Sequence, residues 1–286
     1  MARQAAFKGQ FYEADFGKLD KQIHESFLSE KGPGELPVSK RQGKIQAVIS
    51  PHAGYMFSGP CAAWAYKALG EAEFADVYVI LGVDHSGYGK TCYSTEGFET
   101  PFGLVRVDLD FAKLVSEKCG ITSDPEGHAF EHSIEVQLPF LQFVSKDRLN
   151  ELKILPIIVS SDIDYKELGL GLKEAIMDSK KNICIIVSSD FTHYGRNYHF
   201  IPFSTDVQKR LYDLDEGAIG FIKRVDAKGL VNYIADTGAT ICGVLGIAVL
   251  LCAIKSSKIR LLQYYTSGDI AGDYKNSVGY ASILFE

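Results

Sequence analysis

Along the chain, short near-continuous apolar runs alternate with stretches whose apolar residues recur at helical spacing. Ile45 to Ile49, Val77 to Leu81, Ile154 to Val159 and Ile183 to Val187 have strand length and carry many β-branched residues. That is the pattern of strands buried on both faces. Between them, Ala62 to Leu69, Phe111 to Lys118, Ser133 to Val144 and Tyr165 to Met177 read as helices. The alternation predicts an α/β fold with a central mixed, largely parallel sheet flanked by helices. Ser204 to Ile254 reads as several consecutive helices, and Arg260 to Tyr265 and Val278 to Phe285 as closing strands that rejoin the sheet. The turn-rich stretch GPGELPVSKRQG, Gly32 to Gly43, sets off residues 1–43 as an N-terminal arm with one helix, packed on a main domain that starts near Lys44. There is no internal repeat, so a single domain of 286 residues is expected.

Composition narrows the class. Hydrophobic residues make up 46% and charged residues 23%, ordinary globular usage. Thirty basic residues against thirty-six acidic ones, for a net charge of −6, are scattered along the chain, which lacks the footprint of a nucleic-acid binder. The longest apolar run, Ile241 to Ile254, falls short of the ~20 residues that span a bilayer and reads as a buried helix. The first twenty residues contain no apolar signal core, so the expectation is a cytoplasmic chain without membrane association. Six cysteines without a C-x-x-C pair argue against a disulfide framework or a zinc ribbon.

Histidines bring in the chemistry. In open α/β sheets ligands bind beyond the carboxyl ends of the strands. Three predicted strands lead directly into histidine-bearing loops: PHAGY with His52, VDHSG with Asp84 and His85, and SSDFTHYG with Asp190 and His193. One histidine after a strand is usually structural, whereas three in the same topological position point to one shared site. The segment EHSIEVQLPFL adds His132 at an expected helix start, on one face with Glu135; Glu131 and Glu135 read as solvent-facing acids favoured by that helix end. Cys242, in ATICGVLG, reads first as a small apolar core side chain, while a thiolate there could complete a site with two imidazoles. Imidazole with thiolate suits Fe(II), Cu or Zn rather than Mg or Ca. His132, Asp190 and His193 could act around a substrate as base, acid or orienting group, and the Asp190–His193 pair could also serve as a metal ligand with its orienting partner. A P-loop, a G-x-G-x-x-G and a G-x-S-x-G are all missing, and a Cys242 nucleophile with a histidine base is the remaining alternative.

Together PHAGY, LGVDHSG, EHSIEVQLPF, SSDFTHYG and TICG resemble, in order and spacing, the Memo family over most of the chain. That family is similar in fold to the class III extradiol dioxygenases, whose non-haem Fe(II) is held by two histidines and a glutamate. The resemblance places His52 and His85 on the two histidines and Cys242 where the family has cysteine in place of glutamate. It makes His132, Asp190 and His193 pocket residues that are not ligands, with His193 or His132 as general base. A soft thiolate brings copper into competition with iron. The implied function is a metal-dependent, dioxygenase-like oxidoreductase acting on a small molecule. Animal members are described as adaptors for phosphorylated receptor peptides, so the alternative is a non-enzymatic binding module whose histidine pocket captures a phosphotyrosine-like or other peptide ligand.

Overall fold

The structure, a computed structural model, describes residues 2–38, 41–256 and 258–286. Its strands are β1 (Ala2–Arg3), β2 (Ala47–Ser50), β3 (Val77–Val83), β4 (Cys92–Tyr93), β5 (Gly97–Thr100), β6 (Gly103–Val107), β7 (Thr122–Ser123), β8 (Lys153–Val159), β9 (Ile183–Ser188), β10 (His193–Gly195), β11 (Ile259–Thr266) and β12 (Asn276–Phe285). They join in the order β1-β5-β6-β8-β3-β9-β2-β12-β10, with β11 also paired to β12, and β4 paired to β7 and β8. The centre of the sheet, β8, β3, β9 and β2, is parallel; β12 then runs antiparallel to β2, and β10 and β11 antiparallel to β12.

Alternate side chains of the central strands supply two separate cores, which is why those strands read as unbroken apolar runs. Val77, Val79 and Leu81 of β3 join Ile185 and Val187 of β9 in one core, covered by the helices Leu109–Cys119, Tyr165–Ser179, Val207–Lys223 and Val244–Ala253. Tyr78 and Ile80 of β3 face the other core with Ile186 of β9, under the helices Phe16–Leu28, Tyr55–Glu71 and Gln137–Val144. The predicted α/β architecture with a mixed, largely parallel sheet is therefore what the chain adopts. The apolar run from Ile241 ends in the buried helix Val244–Ala253, and among the described residues no helix is long and apolar enough to cross a membrane.

Three local expectations need correction. The helix expected from Ser133 begins at Gln137, and residues 133–136 form turns, with Val136 N donating to His132 O at 2.9 Å. The cause is that Glu131 and Glu135 are 1% and 0% exposed rather than solvent-facing; both are turned inward onto buried donors. The helix expected from Ala62 starts at Tyr55, its first turns hidden in sequence by Gly59 and Pro60. The hairpin β5–β6 was not expected at all, because GFET and GLVRV are too short and too mixed to show a period. Of the N-terminal arm, the helix Phe16–Leu28 buries Leu19, Ile23 and Phe27 and is capped by Asp15, whose carboxylate accepts from Lys18 N. Met1, Ser39 and Lys40 of that arm lie outside the described residues.

Candidate metal centre

The carboxyl ends of β2, β9 and β3 lie side by side, and each is followed within two residues by a polar side chain of the site. His52 follows Ser50 and Pro51, His85 follows Val83 and Asp84, and Asp190 follows Ser188 and Ser189. The His52 and His85 rings are 5.1 Å apart, and His132 lies 5.3 Å from His52 and 4.6 Å from His85, stacked at 22° on the latter. Cys242 Sγ, just before the helix Val244–Ala253, is 3.3 Å from His52 Nε2. Donor atoms of His52, His85 and Cys242 all lie within 4.8 Å of one another, so the three can hold a metal ion.

Hydrogen bonds decide which ring nitrogen each histidine offers. Ser188 Oγ donates its one proton to Ser133 O at 2.7 Å and accepts from Gln137 Nε2 at 2.8 Å. It can therefore only accept from His52 Nδ1, 2.8 Å away, which leaves the lone pair of that imidazole on Nε2. His85 Nδ1 is 3.0 Å from Glu131 Oε1, a carboxylate that only accepts, so its lone pair is also on Nε2. His193 follows the same rule, with Nδ1 3.0 Å from Thr240 O. Burial, reinforced by the neighbouring imidazoles, pushes His52 far below the usual histidine range and keeps it neutral. His132, between His85 and the Phe11 ring at 4.5 Å, is pushed down to about 4 by burial and by His85.

The acids have distinct tasks. Glu131 takes N–H groups from His85 and Ser133, each at 2.8 Å, besides the His85 ring. Burial alone would raise it, but the hydrogen bond from the His85 ring, joined by that from Ser133 N, outweighs burial and holds it at about 2. Its oxygens also come within 4.8 Å of the His85 and His132 nitrogens, yet with those donors in place Glu131 braces His85 from outside rather than adding a second cage. Asp190 Oδ1 accepts from His52 N at 2.8 Å, its Oδ2 lies 3.9 Å from His52 Nε2, and burial raises its carboxyl above the ordinary range. Cys242 is pushed up by burial and by Asp190, so without an adjacent cation its thiol stays protonated and is a poor nucleophile. Asp84 does not join the donors: it accepts from Tyr88 N, Gly89 N and Ser160 Oγ and ties down its own loop.

Sequence reasoning missed the supports. Glu131, Ser188 and Gln137 fix the imidazoles, Phe11 of the N-terminal arm covers His132, and buried Asp215 anchors the Asp190–His193 segment by accepting from Thr192 N and Oγ1. The one local signal was the adjacency of Glu131 to His132 in EHS.

The chain is similar to a MEMO1 family protein of Methanopyrus kandleri, 38% identical over 294 residues that cover 100% of this chain and 99% of that one. It is also similar to a MEMO1 family protein of Pyrobaculum aerophilum, 37% identical over 292 residues, covering 99% and 98%. In fold it is similar to the crystal structure of an uncharacterised protein, JW3007, from Escherichia coli K12, with a TM-score of 0.60 at 15% identity over 85% of this chain and 100% of that one. The family description that matches residues 3–284 is "Memo-like protein", and with relatives of this identity along its whole length the chain belongs to the Memo family.

Proposed function

We propose that the chain is a metal-binding protein whose centre is held by His52, His85 and Cys242, and that it works as a metal-dependent oxidoreductase on a small molecule. The observation that carries this reading is the meeting of three donor atoms within 4.8 Å, from residues 33 to 190 positions apart, where each imidazole's Nδ1 is already engaged as a donor. Two neutral nitrogens and one sulfur favour Fe(II) or Cu, with Zn also suited, over Mg or Ca. A metal held by three protein donors would supply Lewis acidity and, for iron or copper, electron transfer, with coordination positions left for substrate.

The chain's own residues would do the rest. Asp190 holds the His52 backbone N–H and presents its second oxygen towards the His52 ring. His193, with Nδ1 committed to Thr240 O, has only Nε2 to exchange a proton with a substrate. His132 and Phe11 form an aromatic wall beside His85. Two buried carboxylates, Asp190 and Glu131, adjoin these imidazoles, a charge balance that favours a cation over the phosphate of a modified peptide.

Metal analysis of protein purified without oxygen or chelators tests the centre. The expected result is about one Fe or Cu per chain, abolished by His52→Ala. Metal content unchanged by that substitution would remove the site. Oxygen uptake over a set of small aromatic diols then tests the redox part. Heat on titrating metal-stripped protein with phosphotyrosine peptides would favour a binding module instead.

A further inference from the structure

The motif that supplies Cys242 carries a second polar residue, Thr240, two positions earlier. The helix Ala227–Thr237 ends at Gly238, whose φ of 69° turns the chain sharply into the segment 239–243. That segment runs antiparallel to the loop after β9. Gly243 N donates to Ser189 Oγ at 3.1 Å, Asp190 N to Cys242 Sγ at 3.3 Å, and His193 N to Thr240 Oγ1 at 2.9 Å. A Cβ on Gly243 would fall 2.4 Å from Ser189 Cβ, so the two stretches of chain approach as closely as glycine alone allows.

One hydroxyl satisfies both backbone groups of His193. Thr240 Oγ1 gives its proton to His193 O at 2.7 Å and accepts the His193 N–H. The other flank of this chain is taken by β12, where Gly279 N donates to Thr192 O at 3.0 Å and Phe191 N to Gly279 O at 2.8 Å. His193 is therefore held between a true strand and a side chain that stands in for the next one. With the backbone fixed in this way, the Thr240 carbonyl lies 3.0 Å from His193 Nδ1. A carbonyl only accepts, so the ring proton is on Nδ1 and the lone pair on Nε2. The opposite tautomer would place a donor where a base is needed.

We propose that Thr240 is the positioning residue of the centre's acid–base group: its hydroxyl clamps the backbone of His193, and its carbonyl then fixes the tautomer that presents a proton-accepting Nε2 to substrate. One short segment thus sets both a metal donor and a base, Cys242 directly and His193 through Thr240. The proposal rests on the reading of His193 as a proton-exchanging group beside the metal centre, and its main test needs neither metal nor substrate.

Metal-free protein labelled with 15N at histidine is observed at alkaline pH, where the two neutral tautomers give separate ring-nitrogen shifts. The His193 signals are assigned by their loss in His193→Gln. In the wild type His193 is expected to be protonated at Nδ1 alone. Thr240→Val keeps the shape of the side chain and removes the hydroxyl. There the ring is expected to become a mixture of tautomers, its Nδ1 proton exchanging with water roughly tenfold faster or more. Thr240→Ala, which also lacks the hydroxyl, is expected to match it. Thr240→Ser restores the hydroxyl and is expected to restore the wild-type pattern.

A single Nδ1–H form in the valine and alanine variants would overturn the proposal, as would a mixture in the wild type itself. Failure of Thr240→Ser to restore the pattern would trace the effect to the shape of threonine rather than its hydroxyl, and would equally defeat it. Absence of thiolate-to-cobalt absorption when Co(II) is added to the wild type would instead bring down the metal-centre reading, and the proposal with it, whatever the tautomer.

Discussion

At the scale of single residues, the centre depends on groups that bond the far nitrogen of each candidate imidazole and so settle where its lone pair points. Glu131 is the strongest of these, a carboxylate that is 1% exposed and has one oxygen 3.0 Å from His85 Nδ1. Glu131→Gln keeps the shape and one accepting oxygen but removes the charge that polarises the imidazole. Metal affinity is expected to fall by about 10–100-fold, measured by competition with a coloured chelator, while the circular dichroism spectrum stays that of the wild type. Affinity at the wild-type level would show that His85 needs no external brace. The split between what was and was not legible follows from range. His52, His85, Asp190 and His193 announce themselves by standing just after apolar runs, a local signal. Glu131 and Ser188 act across 46 and 136 residues of chain, and no local pattern records such a partner.

At the scale of elements, the end of β3 and the turn at 131–136 press together until only glycine fits between them. A Cβ on Gly82 would fall 2.5 Å from Ile134 Cγ1 and 2.8 Å from Ser133 Oγ. That approach lets Ser133 Oγ accept from Val83 N at 2.9 Å and brings Glu131 under His85. Gly82→Ala is expected to destabilise the metal-free protein by roughly 1–3 kcal/mol through overpacking, read from urea denaturation, and to weaken metal binding by displacing His85 from Glu131. Unaltered stability would mean the turn can retreat without cost. The central strands were readable because burial on both faces writes one unbroken apolar run. The turn was not, because Ser133 to Val144 keeps helical spacing while the inward pull on Glu131 and Glu135 delays the helix to Gln137.

At the scale of the whole molecule, one buried carboxylate laces the N-terminal arm to the body beside the centre. Glu135, 0% exposed, pairs with Arg3 Nη1 at 2.5 Å and also accepts from Ala6 N at 3.0 Å, Phe7 N at 2.9 Å and Tyr12 Oη at 2.7 Å. Those bonds carry Phe7 and Phe11 to the face of His132. The sequence shows the arm only as a turn-bounded segment with a helix, since a contact spanning 132 residues leaves no periodic trace. Removing one partner of a buried pair leaves the other charge stranded, so Arg3→Ala is expected to cost about 3–5 kcal/mol in urea denaturation. Replacing both partners with apolar residues often restores such a loss. Here it should not, because Arg3→Met with Glu135→Leu would still leave the Ala6 and Phe7 amides and the Tyr12 hydroxyl without their acceptor. The double variant is therefore expected to be no more stable than Glu135→Leu alone, with early proteolytic cleavage before residue 12. A double variant as stable as the wild type would show that the Arg3 charge pair, rather than the three neutral donors, is what Glu135 is there to hold.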